Sequence, residues 1–540
     1  MDLGGTGPRP ASRLLIAGVS ACLVAAACTS PPPEEAQPSV PVPGPTVSAT
    51  PSASLRLATG QPASLDPRDL DSSDSLLLAS QVFDGLVAYD PTTLEVIPAA
   101  AESWEVRDRG RRFVFHLRRG ATFHDGSPVR AQDFAAAWNR LADPVAARPF
   151  AFLLEQVEGF TEYQEGPGVR DLAGVVARND LTLEVTLVRP WLDFPFVLGH
   201  PALSPVPPGA DRADFPSQPV GNGPYRVAAP LAPGSPLIME RNETYEGPPS
   251  AVQSIEYVVF EEPQQAWPEF LSGELDLASV PPPLLAEAQG RFGSHGVVVL
   301  AQLLYCGLNQ ADPRFRDRRL RQAVSLALDR ETIASEVYGE LAVPAGTIVP
   351  PTIPGHRADV CADRCLRDVD RARRLASAVP REDRTIFLDY PSGLAGGRLA
   401  DLVAQQLGEV GITVEPRPHD QAGLGELLRE GNLEMVCLVW AADYPHQHAF
   451  LEPLLASGSA DNHVRVRDQD LDTVLERART VPDPGIRREA FVEAERLALK
   501  KMYLVPVVWF RSHLAVQPGV QGFVLDPMGR YDAATLRVAP

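Results

Sequence analysis

Lysine is nearly missing from this chain of 540 residues, occurring only at Lys500 and Lys501, so almost all of its basic charge is arginine. With abundant Ala, Pro and Gly, that bias points to a GC-rich bacterial gene. Positive charge is short overall: 49 basic against 69 acidic residues leave a formal charge of -20, which argues against nucleic-acid backbones and anionic membrane surfaces as partners. Cationic or zwitterionic ligands remain compatible with it. Catalytic signatures are missing too. There is no G-x-S-x-G elbow, Walker loop, dinucleotide fingerprint or H-E-x-x-H pair, and no carboxylate pair whose spacing implies acid/base work. The chain is therefore read as a binding protein rather than an enzyme, with no cofactor implied.

What is present suits a globular protein of two to four domains, with 44% hydrophobic and 22% charged residues. The N-terminal apolar segment Leu14 to Ala27, preceded by Arg9 and Arg13, is too short for a comfortable membrane span and has the make-up of a signal-peptide core. It ends in Ala26-Ala27-Cys28, followed by the polar run TSPPPEE. That arrangement resembles a bacterial lipoprotein signal with Cys28 as the acylated residue. Cys22 fits the local box better, but it leaves a very short core and an apolar start to the mature chain. Residues 29–54, rich in Pro, Ser, Thr and Val, have nothing periodic to bury and form an extended tether at ~3.1 Å per residue.

The folded part is expected from Leu55. Phe113, Phe115 and Leu117 alternate with polar or smaller residues, as do Leu181, Leu183, Val185 and Leu187, so residues 99–203 read as an antiparallel layer with few helices. Gly221-Asn222-Gly223-Pro224-Tyr225 reads as a tight structural turn rather than a phosphate cradle, because Pro224 lacks an amide donor and no helix follows. Beyond residue 300, Asp317 is placed to cap a helix carrying the stripe Leu320, Ala323, Val324, Ala327 and Leu328, and Asp329 to cap a following turn. Ile386 to Tyr390, a helix through Leu399 to Val410, Ile412 to Val414, a helix near Leu424 to Glu430, and Met435 to Trp440 make a β-α-β-α-β run, hence a doubly wound sheet. Met435 to Trp440 is apolar throughout, the pattern of a parallel strand buried on both faces, and it stops at Asp443, where open α/β sheets bind ligands.

The segments AESWEV, FVFHLRRGATFHDGSPVRAQDF, QPVGNGPYRV, MERNETY, SGELDLA, LNQADPRFRDRRLRQAVSLALDRETI and VWAADY, in that order, resemble the extracytoplasmic solute-binding proteins of peptide-type ABC transporters, family 5. Arg130 departs from the Thr this family commonly uses to cap the next helix, a loss of roughly 1 kcal/mol. The resemblance implies an α/β fold of the periplasmic-binding-protein type II, two lobes with doubly wound sheets plus an extra small α+β domain. Lobe I is discontinuous (55–98, 204–301, 510–540), residues 99–203 form the extra domain, and 302–509 form lobe II. It also implies that Asp443 of the W-x-x-D-Y stretch receives a solute amine, with Trp440, Tyr444, Asp71, Phe150 and Trp509 lining the site.

Asp443 has a competing reading as the cap of a helix starting at Pro445. Cys437 stands where some oligopeptide binders carry a basic residue, so an amine end is better supported than a carboxylate end. Four cysteines remain if Cys28 is acylated: a local Cys361–Cys365 bridge is the first expectation, while Cys306 and Cys437 are as readily free as bridged. His446 and His448 are expected to be solvated, and no metal site is expected there. The function implied is capture of a peptide-like or amine-bearing solute and delivery to a permease with cytoplasmic ATPases, by a monomer held at the membrane by its lipid. The alternatives are the same scaffold binding an oligosaccharide, opine or metal chelate, or a surface-anchored sensor or adhesion protein that has lost transport.

Overall fold

The computed structural model describes residues 53–166 and 168–539. The lipidation expectations at Cys28 and Cys22, and nearly all of the tether, lie outside them.

The first strand, Ala53–Thr59, buries Leu55 and Leu57 and sits inside a six-stranded sheet. It runs parallel to Val252–Val259, with Leu55 opposite Ile255 and Leu57 opposite Tyr257. The same sheet takes in Leu277–Ser279 and, at one edge, Leu514–Val516 from near the C-terminus. One core thus recruits widely separated parts of the chain. A second sheet is wholly antiparallel and built from four strands between Ala101 and Thr186. There Phe113 and Phe115 face Val185 and Leu183 directly, and all four are fully buried.

The third sheet has six strands. Thr385–Pro391, Thr413–His419 and Met435–Ala441 form the expected parallel set, joined by helices Leu394–Gly408 and Gln421–Glu430. The other neighbour of Met435–Ala441 is different from the expectation: Val299–Leu308 runs antiparallel to it, and Leu504–Arg511 antiparallel to Val299–Leu308 in turn. The sheet is mixed because the chain comes into this region on one long strand and leaves on another. An apolar run without alternation carries no sign of its neighbours' direction, and the expected burial of this strand on both faces fails at Val439, which is exposed.

Local chemistry follows the sequence closely. The Asp317 carboxylate accepts from Arg319 N–H and starts the expected helix, which ends at Ala327 with Leu328 just beyond it. The Asp329 carboxylate accepts from Thr332 N–H, where a short helix, Arg330–Ile333, stands in place of the expected turn. At Arg130 the side chain makes no cap. Instead Asp133 reaches back to accept from Arg130 N–H at 2.7 Å. Gly221 and Gly223 lie against the backbone of Val82, where a Cβ would collide with it. His124 fastens the same turn: Gly221 N–H donates to Nδ1, leaving Nε2 to donate to Gly223 O, and burial lowers its pKa to about 4.

Both pairs of cysteines in this part are bridged. Cys361–Cys365 is the local bridge expected, and Cys306–Cys437, left open by the sequence, is a second.

Candidate solute-binding site

Met435–Ala441 delivers Asp443 to a junction of three chain segments. Ala442 N–H donates to Ala301 O at 2.9 Å, and Ala301 N–H donates to Pro527 O at 2.7 Å. The end of this strand, the start of Val299–Leu308 and the C-terminal tail are therefore tied together beside the acid. No helix begins at Pro445, since the next one spans His448–Leu455 with Gln447 in the cap position, so the capping reading of Asp443 is set aside.

Asp443 is half-buried, and its charge reaches Tyr89. Desolvation holds the Tyr89 phenol well above its ordinary value; Arg530 opposes this, and the carboxylates of Asp526 and Asp443 add to it. The Arg530 guanidinium lies 5.8 Å from the Tyr89 ring centroid, and its buried Nη2 has no hydrogen-bond partner. Sequence reasoning missed Arg530, because a lone arginine in the turn Asp526-Pro527-Met528-Gly529-Arg530 carries no signal beyond turn composition.

Next to this junction lies a cavity of about 590 Å³ between the four-stranded antiparallel domain and the mixed-sheet lobe. Phe152, Arg189 and Trp191 line one side, Tyr444, His448 and Glu452 the other. Trp191 stacks on His448 with ring centroids 4.1 Å apart, and Tyr444 Oη lies 2.8 Å from His448 Nδ1. Trp191 Nε1 and Glu452 Oε2, a donor and an acceptor, are buried without a hydrogen-bond partner. Glu155, Asp461, Asp472 and Glu476 also line the cavity, giving it an acidic wall.

The seam around the cavity is ionic. Arg189 meets Glu452 at 2.8 Å, Arg479 meets the same carboxylate at 3.2 Å, and Arg487 grips both oxygens of Asp193. His446 packs 4.6 Å from Phe196 and 3.7 Å from Asp193. Burial lowers its pKa, with Asp193 pulling the other way. His446 and His448 are thus buried, not solvated as the sequence suggested. The covering loop, residues 189–196, is some 250 positions away in the chain and invisible to local pattern.

The other expected site residues are placed differently from one another. Trp440 is buried with its Nε1–H donating to Ala449 O at 2.8 Å. Trp509 is half-buried and opposes Leu303, which opposes Trp440 on its other side, so the three share one row of the sheet. Phe150 is buried 4.4 Å from His200 and 6.0 Å from Phe152, reaching the cavity only through the latter. Asp71 is exposed ahead of helix Ser73–Val82 and does not line the cavity. Cys437, bridged to Cys306, offers the site neither charge nor thiol.

Residues 95–462 match the family profile of the bacterial extracellular solute-binding proteins, family 5. The chain belongs to that family. As a family 5 solute-binding protein it is the extracytoplasmic binding component of an ABC importer. It is 28% identical to the probable deoxycholate-binding periplasmic protein YgiS of Escherichia coli, covering 86% of this chain and 89% of that one. It is also 28% identical to the periplasmic oligopeptide-binding protein OppA of the same organism, over 86% and 88%. Among solved structures, the unliganded open form of the murein tripeptide binding protein MppA superposes with a TM-score of 0.78 at 23% identity, covering 91% and 98% of the two chains. The family 5 fold is thereby shared across nearly the whole chain.

Proposed function

We propose that this family 5 protein captures a peptide-like or amine-bearing solute between its lobes, with Asp443 as acceptor of the solute's ammonium group. The supporting observation is the position of Asp443: half-buried, just past the end of a core strand, beside the hydrogen-bonded junction of Ala442, Ala301 and Pro527. A partly desolvated carboxylate favours a cation strongly, and losing one partner of such a pair typically costs ~2 to 5 kcal/mol. Segments 55–98, 204–301 and 510–540 act as lobe I, 302–509 as lobe II, and 99–203 as the domain that covers one side of the cleft. Solute binding shifts an open–closed equilibrium that the permease senses. The protein works as a monomer held to the outer face of the membrane through acylated Cys28. Relatives of similar identity carry names that include oligopeptides and dipeptides, in keeping with this reading.

Asp443→Asn is expected to weaken binding of an unmodified peptide at least tenfold while leaving an N-acetylated peptide unaffected. Equal effects on both ligands, or none on either, remove the amine-acceptor role.

A second reading is a cationic solute that is not a peptide. Cys437 in its disulfide supplies no basic partner for a carboxylate terminus, and the neighbouring cavity is acidic and aromatic. Mass spectrometry of small molecules released on denaturing the purified protein separates the two.

A further inference from the structure

At the opposite end of Met435–Ala441 from Asp443, an open concavity of about 730 Å³ is lined by Arg316, Arg321, Arg465 and Arg467, with Glu430 as its one acid. Seven strand residues separate the two ends, roughly 20 Å or more. This concavity is therefore distinct from the solute cleft.

The arginines here differ from their neighbours in what they bond. Arg314 is paired with Glu434, Arg319 with Asp317, and Lys501 with Asp468. By contrast, among the described residues no carboxylate stands within ion-pair distance of Arg316, Arg321, Arg465 or Arg467. Arg321 is buried and donates only to carbonyls, Lys501 O and Phe315 O. Arg465 donates to Arg429 O. Arg316 and Arg467 are exposed. Four guanidiniums line this hollow with a single lining carboxylate. The further acids act from outside it, Asp317 on Arg321 at longer range and Asp468 from beneath Tyr503, where it is already paired with Lys501. The mouth of the hollow therefore carries a local excess of positive charge.

The arrangement is also built in advance. Buried Asn462 holds its loop from both ends, accepting from Val466 N–H at 2.9 Å and donating to Ala456 O and Val466 O. Within that loop Arg465 has a φ of 56°, the left-handed region, which a residue with a Cβ keeps only where the surroundings enforce it. Below it, Asp468 is fixed by Lys501 and by the Tyr503 hydroxyl, which donates to it at 2.9 Å; Tyr503 forms part of the floor.

We infer that this concavity is a second binding site, for a multivalent oxyanion of the phosphate type, held by the forked donors of Arg316 and Arg467 over the positive floor of Arg321 and Arg465. Such phosphate groups occur on free anions and on lipid headgroups. The test is calorimetric titration of the purified full chain with inorganic pyrophosphate at low salt. A Kd below about 1 mM is expected, weakened at least tenfold in the Arg316→Gln/Arg467→Gln variant, with binding of the unmodified peptide used as the cleft probe unchanged. No pyrophosphate binding, or binding undiminished in the variant, overturns the site whatever happens at the cleft. Sedimentation with phosphatidylglycerol vesicles, using phosphatidylcholine vesicles as the blank and the Cys28→Ala chain to remove the anchor, separates the sources. Retention that depends on the two arginines adds the lipid headgroup as a ligand, and its absence assigns the site to free anions.

Discussion

Cys306 and Cys437 stand directly opposite each other on adjacent antiparallel strands, their Cα atoms 4.1 Å apart, and are joined by a disulfide that closes a loop of 131 residues. The bond staples the strand that leads into the mixed-sheet lobe to the strand that carries Asp443. Loop-closure entropy for a bridge of this span is about 3 to 5 kcal/mol, against about 2 kcal/mol or less for Cys361–Cys365, which spans four positions. The Cys306→Ala/Cys437→Ala variant is accordingly expected to show a clearly lower urea midpoint, and the Cys361→Ala/Cys365→Ala variant a small loss. Equal losses in the two variants contradict this.

Arg487 and Asp193 join the mixed-sheet lobe to the antiparallel domain, and both side chains are largely buried. Replacing Arg487 by Leu leaves a buried carboxylate with only His446 beside it, a change worth about 3 to 5 kcal/mol. The variant is expected to melt at lower temperature, and its His446 pKa to rise, because the guanidinium that now disfavours the imidazolium is gone while Asp193 remains. Adding Asp193→Asn should restore most of the stability and return His446 downward. NMR titration of His446 with thermal melts reads both.

Glu495 is fully buried, accepts from Ile348 N–H at 2.7 Å and Val349 N–H at 2.9 Å through Oε1, and leaves Oε2 without a partner. Desolvation raises its pKa from 4.5 to about 7 despite those two bonds. Between these values the folded chain holds a proton that the unfolded chain has released, so this group's contribution to stability falls as pH rises from about 4.5 to 7 and levels off above. Glu495→Gln keeps the accepting oxygen and removes the titration. Denaturant midpoints measured from pH 5 to 8 should therefore decline less with rising pH in the variant than in the parent chain. Identical profiles would falsify the assignment.

For the anchor, metabolic palmitate labelling is expected in the parent chain and lost in Cys28→Ala. Label that survives in Cys28→Ala and disappears in Cys22→Ala moves the acylated residue to Cys22.

Much of the fold was legible because it rests on local rules. The caps at Asp317 and Asp329, the structural turn at Gly221 to Tyr225, the antiparallel layer around Phe113 and Leu183, and the parallel set ending at Met435–Ala441 all follow from periodicity and capping chemistry. The ordered segments that resemble family 5 implied the two-lobe α/β fold, whereas the pairing that draws Leu514–Val516 back to Leu277–Ser279 was not foreseen strand by strand.

What the sequence determined by itself was that an acid would terminate a core strand, because an unbroken apolar run ending in Asp443 has few other meanings. Only the tertiary structure decided what surrounds that acid. The antiparallel strand that ties Cys437 to Cys306, the loop that buries His446 and His448, the approach of Tyr89 and Arg530, and the four arginines around the hollow at the far pole all join residues far apart in the chain. Such contacts are set by how the elements pack against one another, and packing at that range leaves no periodic trace in the residues that take part.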